Sequence, residues 1–213
     1  MRSECSMLDD PFARFAMEYD EWFERNPWAY RSELAALAKV VPEGRGVDIG
    51  SGTGRFSSPF NIYVGVDPSM PMLRLAGGKG LRIVQGRAES LPFRDGAFDF
   101  ALMVTVLCFV NDRLAALREA VRVVRRGGSI LVGILDRDSP LGRRYEAGAE
   151  GSRFYRDARF LSAAEAFDLL EQAGCTVEST FHTIFSDPRG LKAPEPVLEG
   201  HGDGLFTVIS ARV

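Results

Sequence analysis

Nine residues, Asp48 to Phe56 in the run DIGSGTGRF, limit what this chain can become more than any other feature does. They close a short apolar segment and place Gly50, Gly52 and Gly54 at alternate positions. Alternating glycines after a strand let the backbone turn sharply and leave it bare for a ligand, as happens at the carboxyl ends of strands in open α/β sheets. A nucleotide-type ligand suits such a loop. The dinucleotide fingerprint wants a small residue at its sixth position, and here that residue is Arg55. GxGxG preceded by an acid is the better description, which argues against a nicotinamide-dependent oxidoreductase.

The surrounding segments carry the rest of an α/β pattern. Short β-rich runs bounded by glycine-containing turns recur as GVDIG, NIYVGVD, LRIVQG, FDFALMVTV and SILVGIL, and read as five buried strands. Between the last two, Leu114, Leu117, Ala120, Val121 and Val124 fall at helical spacing, with Gly127-Gly128 as the stop. Strands alternating with helices imply a parallel sheet. Ser162 and Glu165 form a capping box that opens a helix running to about Ala173 before Gly174, and two last apolar runs, 175–185 and 205–213, complete the sheet.

Ahead of the first strand, Asp10-Pro11 and Asn26-Pro27 each read as a cap with proline at the first helical position, predicting two helices. Phe12, Phe15, Ala16, Tyr19, Trp22 and Phe23 give the first an aromatic face; Tyr30, Leu34, Leu37 and Val41 give the second its apolar stripe. Residues 136–161 are polar, rich in arginine and aromatics and weakly periodic, so they read as a loop or lid.

A chain of 213 residues with 46% hydrophobic content supports one core, hence one domain, and a net charge of −3 supplies no pull toward nucleic acid or anionic membranes. Cys5, Cys108 and Cys175 are odd in number and far apart, fitting neither a disulfide framework nor a zinc site. With no apolar h-region in MRSECSMLDDPF and no membrane-spanning run, a cytoplasmic location is expected.

From Gly46 to Asp136 the chain resembles the class I S-adenosylmethionine-dependent methyltransferases. The resemblance implies a doubly wound, Rossmann-like α/β fold with a mostly parallel seven-stranded sheet whose last strand is antiparallel. It also implies S-adenosylmethionine as cofactor. Asp48, Gly50, Ser51, Gly52 and Gly54 would hold its methionine part, and Asp67, with Pro68 and Ser69 after it, would grip the ribose hydroxyls. In GRAESLPFRDGAFDF the Ala88 amide would read adenine; many relatives carry Asp where this chain has Arg87, and Glu89 is the substitute at hand. Val104 and Thr105 would pass beneath the cofactor. LCFV, DRDSPLGRRYE and FYRDARFLS carry a narrower resemblance, to a compact prokaryotic group acting on small molecules. The division expected is a helical cap (1–42), a cofactor-binding core (43–136), a lid or substrate loop (137–162) and a C-terminal helix with the final strands (163–213).

Methyl transfer needs alignment and dryness more than a catalytic side chain, and neither a metal nor a covalent intermediate. Tyr19 is expected to close the site and face the sulfonium. With His182 it is a candidate for any direct catalytic part, although a histidine on a strand more often packs or faces solvent. Cys108 reads as a small buried hydrophobe, and Arg143, Arg144, Arg153, Arg156 and Arg159 as a solvated lid surface, with recognition of a carboxylate-bearing substrate the functional alternative for one of them. Asn26-Pro27-Trp28 is a helix cap rather than the amino-methylation motif of nucleic-acid enzymes, which sits after the fourth strand. The function expected is methyl transfer to a nitrogen, oxygen or sulfur of a small acceptor, with no nucleic-acid or membrane partner. A non-catalytic cofactor-binding protein and a nucleic-acid or protein methyltransferase are the alternatives.

Overall fold

A computed structural model describes residues 10–213; Cys5 lies outside the described residues. One sheet organises the chain. Its strands are β1 (Gly46–Ile49), β2 (Val64–Asp67), β3 (Arg82–Gln85), β4 (Phe98–Val104), β5 (Val124–Leu135), β6 (Thr176–Thr183), β7 (Leu198–Glu199) and β8 (Phe206–Arg212), in the order β3-β2-β1-β4-β5-β8-β6-β7. β1 to β5 pair in parallel, and β8 inserts antiparallel between β5 and β6. The expected seven strands with an antiparallel last one are present. The two-residue β7, paired to the end of β6, makes an eighth.

β1 and β4 are buried along nearly their whole length, as strands covered on both faces must be. Phe100, Leu102, Met103, Ile130, Leu131 and Phe206 form the centre of the core. Strand order reverses at β1, flanked by β2 on one side and β4 on the other, so a crevice opens beyond its carboxyl end. The glycine loop begins there.

Seven helices cover the sheet: α1 (Pro11–Arg14), α2 (Ala16–Arg25), α3 (Pro27–Leu37), α4 (Met70–Gly78), α5 (Arg113–Val123), α6 (Pro140–Ala147) and α7 (Ala163–Gln172). Where two helices are expected before β1, the described residues hold three, because Phe15 leaves helical geometry at φ −123° and ψ 32°. α3 ends at Leu37, and its deepest face is Ala29, Ser32, Glu33, Ala36 and Leu37; of the expected stripe Leu37 is fully buried, while Tyr30, Leu34 and Val41 pack half-buried against the core. The reason is its neighbour: small residues let α3 lie close on β6 and β8.

Three further differences have local causes. α4 is absent from the sequence reading because MPMLRLAGG ends in two glycines, yet parallel β2 and β3 require a crossover, and Met72, Leu73 and Ala76 anchor it. α5 stops at Val123, four residues before Gly127, because Val124 already pairs with Phe98 and the two glycines sit in a bulge of β5. The expected loop over 137–162 contains α6, capped by Ser139 accepting from the Gly142 amide at 2.9 Å. The capping box of α7 is present as read.

Candidate functional site

β1 ends in a carboxylate and a turn. Gly50 sits at φ +74°, and a Cβ there would lie 2.4 Å from Val106 Cγ2, so no other residue fits without displacing the β4 terminus. The Gly50 and Ser51 amides both donate to the Val66 carbonyl, at 2.7 and 3.0 Å, which folds the loop back over β2. Asp67, at the end of β2, fixes it there. One carboxylate oxygen accepts from the Gly52 amide at 2.9 Å, the other from the Ser69 amide at 2.8 Å. Each oxygen keeps a lone pair free. Burial pushes the Asp67 carboxyl up to about 6, against the two amides that lower it. Burial likewise lifts Asp48 to about 7, although the Ser57 hydroxyl donates to it.

These residues line a cavity of about 430 Å³. Asp48, Gly50, Ser51, Gly52, Asp67, Pro68, Ser69, Ala88, Glu89, Val104, Thr105 and Tyr19 all border it, as the sequence reading placed them. Gly54 does not. It faces α4 instead, where a Cβ would come within 3.2 Å of Ala76, so its role is close packing of the loop on that helix. Arg87 borders the cavity with an exposed side chain, 3.7 Å from Glu89, whose other oxygen accepts from the Asn111 amide at 3.0 Å. Glu89 thus ties two loops together at the rim.

A second cavity, of about 450 Å³, shares six side chains with the first: Tyr19, Phe23, Phe56, Thr105, Phe154 and Tyr155. Tyr19 meets Phe12, Phe23 and Phe154 edge to face. Burial first, and then the charges of Glu33 and Asp67, push its phenol up, so it stays a neutral hydroxyl. Thr105 holds φ +54°, a left-handed conformation that threonine rarely adopts, at the seam between the cavities. The remainder of the second cavity comes from α2, α3, α6 and the segment around Ile184 to Arg189.

The cap is latched onto the glycine loop. Arg55 makes paired bonds to Asp20 at 2.8 and 2.7 Å and a third to Glu24 at 2.6 Å; Lys79 reaches Asp20 at 2.9 Å and the Thr53 carbonyl at 3.0 Å. Burial would raise the Asp20 carboxyl, but hydrogen bonds from Arg55 and Lys79 outweigh it and hold the group near 2. In the sequence Arg55 served only to argue against a dinucleotide site; its bidentate partner lies on another helix, where no spacing rule finds it.

His182 is placed elsewhere than the site. It is buried, borders neither cavity, and its Nδ1 accepts from the Gly204 amide at 2.9 Å, so it fastens the chain ahead of β8. Cys108 is buried as expected, its thiol pushed up to about 12 by burial. Of the lid arginines, Arg144 borders the second cavity, Arg153 pairs with Glu18, and Arg159 donates to the carbonyls of Val110 and Asn111. The sequence reading missed Glu33, Phe154 and Tyr155. An acid one turn after Ala29 and one turn before Leu37, in the middle of a buried face, is the signal that could have found Glu33.

The family model for a methyltransferase domain matches residues 47–132. An uncharacterized protein of Methanocaldococcus jannaschii is 46% identical over 94% of this chain and 97% of its own length. A crystal structure from Thermotoga maritima, described as a S-adenosylmethionine-dependent methyltransferase and possible histamine N-methyltransferase, is 48% identical and superposes with a TM-score of 0.93, covering 95% of this chain and 98% of that one. A demethylmenaquinone methyltransferase of Roseiflexus castenholzii is 39% identical over 47% of each chain. The first cavity fits the cofactor of this family: the buried hydroxyls of Ser51, Thr53 and Ser69 have no partner, and nothing but Met72 and Tyr19 comes near the open face of Gly52. The chain belongs to the class I S-adenosylmethionine-dependent methyltransferases.

Proposed function

We propose that the protein methylates a nitrogen, oxygen or sulfur of a small molecule held in the second cavity. The observation that carries this reading is the shared wall of six side chains between the two cavities, which joins a cofactor-sized space to an acceptor-sized one. Both volumes lie in the range of about 300–1,000 Å³ common for small-ligand sites. When bound, S-adenosylmethionine supplies a methyl group already activated on its sulfonium. Asp67 would accept from its ribose hydroxyls, the Gly50–Gly52 backbone and Ser51 would hold its methionine end, and the backbone around Ala88 would read its adenine. Tyr19 and Thr105, at the seam, would aim the acceptor and keep water out. The cap, core and lid act together as one domain in this reading, and the site of action is the cytoplasm. With a net charge of −3, little draws RNA or DNA to the chain.

Incubation of the protein with methyl-labelled S-adenosylmethionine and a cell extract tests it. Label in the low-molecular-weight filtrate is the expected result. Label confined to nucleic acid or protein would overturn the small-molecule reading.

A further inference from the structure

The second cavity contains one feature that packing does not explain. Its ionisable carboxylates and cations Glu18, Arg25, Arg144, Asp187 and Arg189 are exposed at the mouth, and Glu33 alone is buried, at 7% exposure. Glu33 stands in the buried face of α3, makes no ion pair among the described residues, and its Oε2 has no hydrogen-bond partner. A buried carboxyl oxygen with nothing to bond is costly, and one that faces a cavity is placed to meet a bound group. Burial alone lifts this group to about 8.

The rings around it specify the partner's charge. Tyr19 from α2, Tyr145 from α6 and Tyr155 from the following segment line the same cavity as Glu33, together with Trp22, Phe23, Phe56 and Phe154. Aromatic faces attract cations and offer an anion nothing. We infer that Glu33 selects an amine as acceptor: its carboxylate pairs with the ammonium group and takes from it the proton that blocks the nitrogen lone pair. One N–H bond breaks, one O–H bond forms on Glu33, and the neutral amine keeps the electron pair. The inference rests on the second cavity being the acceptor site. The arginines at the mouth are solvent-screened and cannot impose the opposite preference on the floor.

Calorimetry on the protein saturated with S-adenosylhomocysteine tests this. The probes are 2-phenylethylamine and butylamine, their alcohols 2-phenylethanol and butanol, and the acids 3-phenylpropanoate and pentanoate. The wild type is expected to bind at least one amine about tenfold or more tightly than its alcohol and acid, and Glu33→Gln to lose that preference while S-adenosylhomocysteine affinity holds and the thermal midpoint does not fall. Should Glu33→Gln fail to fold, the wild-type pH profile decides: amine affinity should rise about tenfold per pH unit up to the Glu33 midpoint while alcohol affinity stays flat. Amines bound no better than alcohols, or an unchanged preference in Glu33→Gln, or a flat amine profile, would sink the role of Glu33. Absence of S-adenosylhomocysteine binding would instead strike the cofactor assignment beneath it.

Discussion

A single added methyl tests the glycine loop. Gly50→Ala forces a left-handed backbone on an L-residue, at about 1–2 kcal/mol, and sets its Cβ against Val106. At roughly 2–4 °C per kcal/mol for a chain of this size, Tm should fall on the order of 5 °C, with cofactor affinity falling alongside in calorimetry. An unchanged Tm would mean the β4 terminus yields. Asp67→Ala removes a carboxylate that accepts two amides, and hydrogen bonds to charged groups contribute roughly 1.5–3 kcal/mol each. S-adenosylhomocysteine binding should weaken at least about tenfold. These residues are the ones the sequence reveals most readily, because a backbone that must turn and a strand-end acid that must accept two amides demand particular residue types at fixed spacing. Glu33 shows only as an acid at a buried helical position, and nothing in the spacing links it to Tyr155. They meet only because α3 lies on β6 and β8 while the lid folds back over α2.

The helices differ in how openly they declare themselves. α7 carries its capping box in four residues, and Ser162→Ala should cost about 1 kcal/mol, lowering Tm by a few degrees while leaving cofactor affinity intact. α4 hides behind its two closing glycines, since what makes it helical is the crossover between parallel strands; α6 does carry a local signal, the Ser139-Pro140 cap, but in a polar and weakly periodic stretch. α2 depends on its latch. Asp20→Asn keeps the shape but removes the charge that Arg55 and Lys79 share. Amides of α2 should then exchange faster with deuterium and S-adenosylmethionine should bind about tenfold more weakly. Unchanged exchange would show that the aromatic contacts of Tyr19 and Phe23 suffice to hold the cap.

Across the whole molecule, three buried acids point the same way. Glu33, Asp48 and Asp67 bind their protons more tightly folded than unfolded, at about 8, 7 and 6 against ordinary values of 4.5, 3.8 and 3.8. The stability they contribute is complete below those ordinary values and is lost as pH rises through the folded ones. Asp20, lowered to about 2, is already fully ionised across that window; His182, whose imidazole burial pushes down, opposes the trend in the acidic part of the window, one group against three. Urea unfolding of the ligand-free protein should therefore show a free energy smaller at about pH 8.5 than at about pH 5, by on the order of a few kcal/mol, and Glu33→Gln should flatten the slope. A stability that rises over this range would contradict the burial of these groups. The six side chains common to both cavities carry a last consequence. Two ligands leaning on one wall cannot bind independently: whichever arrives first bears the entropy of stilling those rings, and the second finds them still. With the acceptor in the second cavity as proposed, cofactor and acceptor should tighten each other by a single factor, the same whichever is added first.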